Sequence, residues 1–426
     1  MKLGRRSFLA SGITAAAFPH LAVPHSAFAQ PEQQKTVAFL GTEVRRHSHA
    51  QHFLDRMTAG YTWGGKWQRP RVKVASVYID QHPAEDLAPG RIKRHSLKSY
   101  PSIEEALTLG TEKLAVDGVV IIAEHGDYPT NEKGQKRYPR YDWLKKVVKV
   151  FEDSGRSVPV FNDKHLSTKW DECKEMVDDA KRLGFPFLAG SSLPVTWRLP
   201  SVDMPYDASL KESVCVAYGG VDSYDIHALE TAQCMSERRK GGEVGVASVH
   251  ALRGEDAWKR LAEADCEITR KLIVAALTRS HNLPVDGGFP DGPVTFEWAR
   301  KTFANLVVYL VEHRDGFRTT MMLTQIQDFN YAGYLDSGEI VSCQMYLPMP
   351  GHGSTTADFF NPLTRHIEDL VVNNKANYPA ERTLLTSGIV IGGVNSLHQG
   401  QAKLDTPHLD VKYTAPRESN FWRVGG

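Results

Sequence analysis

The feature that most constrains the fold is the alternation of short apolar runs and amphipathic segments across the first half of the chain. One run, at residues 117–123 (Asp-Gly-Val-Val-Ile-Ile-Ala), is apolar throughout after its turn, as expected of a strand buried on both faces. Other predicted strands lie at residues 36–40, 72–79, 158–161 and 185–189. Helical segments connect them through short turns, which implies right-handed crossovers and a parallel, doubly wound sheet.

The second half of the chain has a different pattern from about Pro194 onward. Residues 244–252 alternate with period two, and Arg314-Asp315-Gly316 separates two strand-like runs with a hairpin turn signal. Helical segments follow at residues 362–372 and 386–396. We therefore predict an α/β domain at residues 30–193 and an α+β domain at residues 194–426. The large sheet of the second domain should be mostly antiparallel and open, with helices on one face.

The charge balance and the cysteine content exclude several classes of protein. The 426 residues carry 51 Lys and Arg against 50 Asp and Glu, a formal net charge of +1, whereas general nucleic-acid binders are strongly basic. Five cysteines are too few for a disulfide scaffold in a chain of this length. We expect a soluble, globular protein that does not bind nucleic acid.

The first 29 residues have the pattern of an export signal. Gly4-Arg5-Arg6-Ser7-Phe8-Leu9 is a twin-arginine core, a mildly apolar stretch follows, and Ala27-Phe28-Ala29 is a small-x-small cleavage site. We expect its removal, a mature protein that is periplasmic or otherwise exported, and a net charge that changes from +1 to −2. An uncleaved anchor or a chance arginine pair is the alternative. No later stretch approaches the roughly 18 apolar residues of a membrane span.

Several segments, taken in order, carry a resemblance to a known family. They are a strand ending in Gly41-Thr42, a strand ending in Asp80, the apolar run at residues 117–123, Val-Pro-Val-Phe-Asn-Asp-Lys-His at residues 158–165, and Asp225-Ile226-His227. Together they resemble the Gfo/Idh/MocA oxidoreductases, the superfamily of glucose–fructose oxidoreductase and inositol dehydrogenase. The resemblance covers nearly the whole mature chain, and residues 360–399 are similar to the closing helices of that family.

The resemblance implies an N-terminal Rossmann domain that binds NAD(P) and a C-terminal substrate domain. Such enzymes interconvert hydroxyl and keto groups on a sugar, cyclitol or related polyol. We therefore expect an exported oxidoreductase-like enzyme with tightly bound NAD, preferred over NADP because the carboxylate of Asp80 would repel a 2′-phosphate. Two alternatives stay open. One is a relative that carries out elimination or hydration, and the other is a non-catalytic carbohydrate-binding relative.

The residues expected to hold the dinucleotide follow the ends of the predicted strands. The family's turn after the first strand is rich in glycine, but here only Gly41 remains. Arg45 could neutralise phosphate in place of the lost glycines, whereas Glu43 would repel it. The predicted cofactor-binding residues are Gly41, Thr42, Arg45, Asp80, Glu124, Asp163 and Lys164.

Lys164 and His227 are the predicted catalytic residues. The family's lysine lies beside the nicotinamide and the reacting hydroxyl, where an ammonium can polarise oxygen or relay a proton. His227 is the expected general base, because its unperturbed pKa lies near neutrality. Either Asp225 or Asp222 should orient the imidazole, although neither has the family's spacing, and a helix cap is the alternative role for Asp225.

Further polar and aromatic residues at the strand ends are candidates for substrate or metal contacts. We expect His125, Tyr128 and His165 to contact the substrate. The aromatic loop that contains Tyr128 and Tyr138 either stacks on a sugar ring or simply covers the domain cleft. Imidazole and carboxylate ligands suit Zn, Mn or Fe. The candidates for such a divalent metal are His47, His49, His125 and Asp127. Their spacing matches no established metal signature, so we predict no metal.

The family's mode of assembly supplies one more expectation. Its open C-terminal sheet often pairs across a symmetry axis, so the resemblance implies a homo-oligomer, a dimer or a tetramer. The expected partner is a small sugar or polyol.

Overall fold

Two β-sheets organise the chain, and the change from one to the other follows the change in sequence pattern. The structure, a computed structural model, describes residues 34–284, 292–348 and 356–418. The predicted signal at residues 1–29 lies outside the described residues. The first sheet takes its strands from residues up to Gly190, and the second takes its strands from Arg198 onward. The predicted boundary near Pro194 falls in the short segment between them.

The first half alternates strands and helices, with a small hairpin formed by β2 and β3. Its strands are β1 Thr36–Gly41, β2 Tyr61–Trp63, β3 Lys66–Gln68, β4 Lys73–Ile79, β5 Gly118–Ile122, β6 Val160–Asp163 and β7 Phe187–Gly190. Its helices are α1 His49–Ala59, α2 Ala88–His95, α3 Ile103–Thr108, α4 Arg140–Ser154 and α5 Trp170–Leu183. Ser48 caps α1, since its hydroxyl accepts a hydrogen bond from the N–H of Gln51.

The second half is richer in antiparallel strands and ends in two long helices. Its strands are β8 Arg198–Leu199, β9 Leu210–Tyr218, β10 Val246–Arg253, β11 Val307–His313, β12 Arg318–Thr324, β13 Phe329–Leu335, β14 Ile340–Met345 and β15 Leu404–Asp405. Its helices are α6 Asp225–Ser236, α7 Gly254–Ala262, α8 Glu267–Leu277, α9 Phe296–Thr302, α10 Phe360–Asn373 and α11 Glu381–His398.

The first sheet is parallel, with the strand order β4-β1-β5-β6-β7. A parallel bridge between Val77 and Ser99 adds one further position beside β4. Gly41 pairs with Ile79 on one side and with Ile122 on the other, so the carboxyl ends of β4, β1 and β5 lie together. The predicted doubly wound parallel sheet is confirmed, and the predicted strand-end residues meet at the edge where such sheets bind ligands.

Both faces of the first sheet are buried, which explains the uninterrupted apolar run of β5. Val119 and Ile121 belong to a hydrophobic cluster that includes side chains of α3, α4 and α5. Val120 and Ile122 belong to another cluster, with side chains of α1 and α10. Helix α10 therefore returns from the end of the chain to cover the first sheet.

The second sheet has the order β15-β10-β11-β12-β9-β13-β14-β8. Its pairs are antiparallel apart from β12 and β9, which run parallel, so the predicted mostly antiparallel sheet is confirmed. The predicted hairpin is present as β11 and β12, joined at Arg314-Asp315-Gly316. Gly316 has a φ of +83°, a left-handed conformation that glycine adopts readily.

Helices cover both faces of the second sheet, so the expectation of helices on one face is wrong. On one face Tyr309 packs with α6 and α11. On the opposite face Val216 and Met322 pack with Trp258 of α7 and with α8 and α9. The physical reason lies in β9, where residues 213–217 are buried without interruption and leave no polar face for solvent. In the described ranges, none of the helices combines the length and apolar character that a membrane span requires.

Gly393 of α11 provides a test of how closely this helix packs on the sheet. A Cβ at this position would overlap the ring of Tyr309, a fully buried residue that donates a hydrogen bond to Asp225. We expect Gly393→Ala to lower the free energy of unfolding by about 1–3 kcal/mol, the usual cost of overpacking a core. Gly392→Ala is the matched control on the same helix, since its Cβ would lie 3.3 Å from Val249. Equal losses in urea unfolding for both variants would contradict the packing described.

Candidate functional site

A cavity of about 270 Å³ lies where the carboxyl ends of β5 and β6 face the start of α1 and of α6. This volume lies just below the usual range of about 300–1,000 Å³ for ligand sites, which restricts the site to one small molecule. Its lining residues come from both halves of the chain and are His47, His49, His52, Glu124, His125, Tyr138, Lys164, Ser192, Leu193, Ser223, Tyr224, His227, Leu347, Phe359 and Phe360. Imidazoles, aromatic rings and one ion pair therefore surround a single small space.

A buried ion-pair cluster places an ammonium group in the cavity wall. Lys164 follows β6, and its Nζ lies 2.9 Å from Oε1 of Glu124 and donates to the carbonyl of Ser223, also at 2.9 Å. The second oxygen of Glu124 accepts from Nη2 of Arg140 at 2.7 Å. Burial would raise the pKa of Glu124, but Lys164 and Arg140 outweigh burial and hold the pKa well below its usual value. The carboxylate therefore stays ionised and keeps the two cations in place.

His227 lies in the first turn of α6 and reaches the same cavity. Its Nδ1 lies 2.5 Å from Oγ of Ser191, which also accepts the N–H of Leu193 at 3.1 Å. Burial, followed by the charge of Lys164, lowers the pKa of His227 well below its usual value, so the imidazole is neutral. In the tautomer whose proton lies on Nδ1, toward Ser191, Nε2 is the nitrogen that can accept a proton from a ligand.

The two aspartates expected to orient His227 do not do so. Asp225 accepts hydrogen bonds from the backbone N–H groups of Asp222 and Ile226 and from the hydroxyl of Tyr309. Asp222 accepts from Gln135 and from the backbone of Lys136. The reason is helical geometry, since residues two positions apart do not share a face and Asp225 cannot point where His227 points. Ser191 is the residue that contacts the imidazole.

Two further histidines face Lys164 and His227 across the cavity. Nδ1 of His49 lies 2.6 Å from Oδ2 of Asp163, and the ring centroid of His49 is 5.5 Å from that of His125 and 6.4 Å from that of His227. Burial lowers the pKa of His125 to about 3, which keeps this imidazole neutral. Neutral imidazoles can both donate and accept, so they suit the hydroxyl groups of a polyol.

Several solved structures that share this architecture are dehydrogenases. GenD2 from gentamicin A biosynthesis, solved in complex with NAD, matches with a TM-score of 0.53 and 12% identity over 87% of this chain and 96% of its own. A probable dehydrogenase from Thermotoga maritima has a TM-score of 0.53 and 10% identity, over 88% of this chain and 99% of its own. The myo-inositol dehydrogenase from Lactobacillus casei, in complex with NAD(H) and myo-inositol, has a TM-score of 0.51 and 11% identity, over 87% and 96%.

The chain has the fold of these dehydrogenases, which is the fold that the resemblance to the Gfo/Idh/MocA family implies. At these identities the likeness concerns the fold. No family model and no curated protein matches the sequence.

In a Rossmann sheet a dinucleotide would cross the turn after β1, and the residues of this turn do not fit one. In the glycine pattern of such turns, the second and third glycines are replaced here by Glu43 and Arg46. Glu43 is buried and accepts a hydrogen bond from Nε of Arg45 at 2.5 Å, so Arg45 is paired within the protein. Thr42 is also committed, since its hydroxyl donates to the carbonyl of Glu124 at 2.8 Å.

The acid expected to bind a ribose is likewise paired within the protein. Oδ1 of Asp80 accepts the hydroxyl of Tyr78 at 2.6 Å, and Oδ2 accepts the hydroxyl of Tyr128 at 2.5 Å. Tyr128 therefore contacts Asp80 and does not line the cavity, where Tyr138 is found instead. Arg45 and Asp80, the residues expected to bind the pyrophosphate and the ribose, are thus paired within the protein, and the turn lacks two of its three glycines. The residues present do not fit a dinucleotide.

Two other predicted site residues, His165 and Asp127, do not line the cavity. His165 is buried behind the cavity, with Nε2 3.1 Å from Nη1 of Arg140, and is not a lining residue. Asp127 is exposed and contacts Gln81 through its backbone. Within the part of the chain that the structure describes, no group of three or more potential ligands is placed to hold a metal ion.

Sequence reasoning missed several residues of the site. Ser191 directly follows β7, so its place at the end of a parallel strand was the available signal. Arg140 begins α4 and is 1% exposed, a burial that its charge gave no reason to expect. Phe360 packs on His49 and His52, with ring centroids 5.0 Å away in both cases. No local sequence pattern predicts that contact, because α10 lies some three hundred residues beyond α1.

His52 gives the site a pH-dependent contribution to stability. Burial, followed by the charge of Arg56, lowers its pKa to about 3, whereas in the unfolded chain it titrates near 6.5. Below about pH 6.5 the unfolded state therefore binds the additional proton, and stability falls as the pH falls. We expect the free energy of unfolding to fall more steeply in the wild type than in His52→Gln, by a difference approaching about 1.4 kcal/mol per pH unit. Parallel pH dependences in urea unfolding would show that His52 is not held neutral.

Proposed function

We propose that this protein is an enzyme that acts on a sugar, cyclitol or related polyol by moving a proton at a hydroxyl- or carbonyl-bearing carbon. The observation that carries the proposal is the convergence of a neutral imidazole, His227, and an ammonium, Lys164, on one small cavity. A base and an electrophilic group at one site are the pair that such proton transfers require.

The charges around the cavity support a neutral, polyhydroxylated substrate. Lys164 and Arg140 share the carboxylate of Glu124, and His49 contacts that of Asp163. The two cations, Lys164 and Arg140, therefore already have an anionic partner within the protein. The rings of Tyr138 and Tyr224 add apolar faces on which a sugar ring can stack.

Each residue has a defined role in the proton transfer. Nε2 of His227 accepts the proton from the substrate, while Nδ1 keeps its own proton on the hydrogen bond to Ser191. The ammonium of Lys164 stabilises the negative charge that develops on the substrate oxygen. Glu124 holds that ammonium in place, and His125 hydrogen-bonds a neighbouring hydroxyl.

Two reactions use this step, and different observations favour them. In elimination beside a carbonyl, Nε2 of His227 takes the proton from the carbon next to the carbonyl while Lys164 stabilises the enolate oxygen. The hydroxyl on the following carbon then takes that proton from the imidazolium of His227 and leaves as water, and hydration is the reverse. The paired residues around Glu43 and Asp80 favour this reaction. Hydroxyl–keto interconversion with a nicotinamide is the second candidate, favoured by the fold shared with GenD2 and the Lactobacillus casei enzyme. The geometry supports the first reaction better.

Substitution of the two central residues tests the proposal. We expect Lys164→Met and His227→Asn each to reduce turnover of the substrate by about a hundredfold or more, the usual range for loss of acid–base or oxyanion groups. A panel of neutral sugars, cyclitols and their keto derivatives would supply the assay.

Lys169→Met and His82→Asn are the matched controls for these two variants, because both side chains are exposed and pair with nearby acids at the surface. The controls should keep wild-type activity and all four variants should unfold cooperatively. Full turnover in either site variant would refute the assigned role.

We also propose export through the twin-arginine route, from the Arg5-Arg6 pair and the Ala27-Phe28-Ala29 site. Replacing both arginines by lysine should keep the charge of the segment but stop export, because that route requires the arginine pair itself. Cell fractionation would then find the variant in the cytoplasm at its unprocessed length. Export of the variant at wild-type level would contradict the twin-arginine route.

We propose a homo-oligomer, as the family resemblance implies, but one that forms through a surface other than the open sheet face used in that family. Helices α7, α8 and α9 cover the central strands of the second sheet on the face away from α6 and α11. A dimer or tetramer of this chain would therefore use a surface other than that face of the strands.

A further inference from the structure

We infer that the loop at residues 124–139 takes the place of the adenosine half of a dinucleotide, so that the cavity works without a dinucleotide laid across the sheet. The inference rests on the proposed function only for the nature of the cavity's own ligand. Its evidence lies outside the cavity, at the neighbouring edge of the first sheet.

The strand order makes this loop a bridge over the end of β1. The hydroxyl of Tyr128, after β5, reaches Asp80, after β4, at 2.5 Å. Beside it the side-chain amide of Gln81 accepts the N–H of Asp127 at 2.8 Å and donates to its carbonyl at 3.1 Å. Since β1 lies between β4 and β5, these bonds pass over its carboxyl end, where a Rossmann sheet holds its dinucleotide.

A glycine allows the bridge to lie this close to β4. Gly126 has a φ of +108°, a conformation that other residues rarely adopt. A Cβ there would lie 2.7 Å from Cε2 of Tyr128 and 3.0 Å from Oε1 of Gln81. The loop therefore approaches both side chains more closely than any other residue at position 126 would permit.

The end of the loop near residues 135–136 is hydrogen-bonded to Asp222, in the second half of the chain. Oδ1 of Asp222 accepts from Nε2 of Gln135 at 3.1 Å, and Oδ2 accepts from the backbone N–H of Lys136 at 2.9 Å. Nζ of Lys136 donates back to the carbonyl of Tyr128 at 3.0 Å. Asp222, predicted as a catalytic residue, thus holds the loop closed.

The loop also gives Asp80 a hydroxyl donor of the kind that a bound ribose would provide. A ribose-binding carboxylate accepts hydroxyl groups of the sugar. At Asp80 the hydroxyls of Tyr78 and Tyr128 already donate to the two oxygens, one to each. At the adjoining turn, the carboxylate of Glu43 would face the pyrophosphate with charge of the same sign.

Nucleotide content and nucleotide binding test the inference on the purified protein. We expect denaturation to release no nicotinamide, and NAD⁺, NADH, NADP⁺ and NADPH at millimolar concentration to leave the melting temperature unchanged. The Lactobacillus casei myo-inositol dehydrogenase, solved with NAD(H), is the positive control for both assays. Nicotinamide released in near-equimolar amount, or a rise in melting temperature with any of the four nucleotides, would overturn the inference.

Hydrogen exchange tests the bridge itself. We expect Tyr128→Phe to raise exchange at least severalfold at residues 124–139 and at Gln81, because the bond to Asp80 is lost. Tyr141→Phe is the matched control, since its hydroxyl donates to Glu175 on the exposed side of α4 at 2.7 Å. Equal exchange in the two variants would contradict the bridge. Failure of the proposed function would appear instead as sugar turnover that does not depend on Lys164 or His227.

Discussion

The site depends on the buried carboxylate of Glu124. Bringing one carboxylate and two cations out of water costs several kcal/mol for each ion, and only close, hydrogen-bonded geometry compensates for that cost. The distances of 2.9 Å to Lys164 and 2.7 Å to Arg140 provide it. Because Lys164 also donates to the carbonyl of Ser223, the same cluster joins β5, β6 and α4 to the segment before α6. The position of the ammonium in the cavity follows from these constraints.

The fold could be predicted wherever the burial of a segment follows from its own residues. Strand β5, Gly118–Ile122, carries no polar side chain, and both of its faces are covered. The Asp315-Gly316 turn similarly specifies the hairpin of β11 and β12. The helices on the second face of the other sheet could not be placed this way. Whether Val216 and Met322 face solvent depends on α7, α8 and α9, which come from elsewhere in the chain.

The candidate site could be predicted as far as the edge of the sheet, because parallel strands bring their carboxyl ends together. Glu124, His125, Lys164 and His227 all line the cavity. Their partners could not be predicted, since the contact of His227 with Ser191 spans 36 residues and that of Tyr128 with Asp80 spans 48. Nearness in sequence does not predict the partner of His227, because Asp225 lies two residues away on a helix and such residues do not share a face.

At the carboxyl ends of β1 and β4, the residues that differ from a dinucleotide-binding pattern are paired with one another. Replacing glycine by Glu43 introduces a buried carboxylate, and Arg45 neutralises it. Keeping Asp80 without a ribose leaves two oxygens to satisfy, and Tyr78 and Tyr128 satisfy them. Tyr128 can reach that position only because Gly126 lets the loop turn close to Gln81. Each change removes a group that a dinucleotide would need and supplies its replacement from within the protein. Gly126 and Tyr128 therefore act together, because a side chain at position 126 would displace the ring whose hydroxyl reaches Asp80.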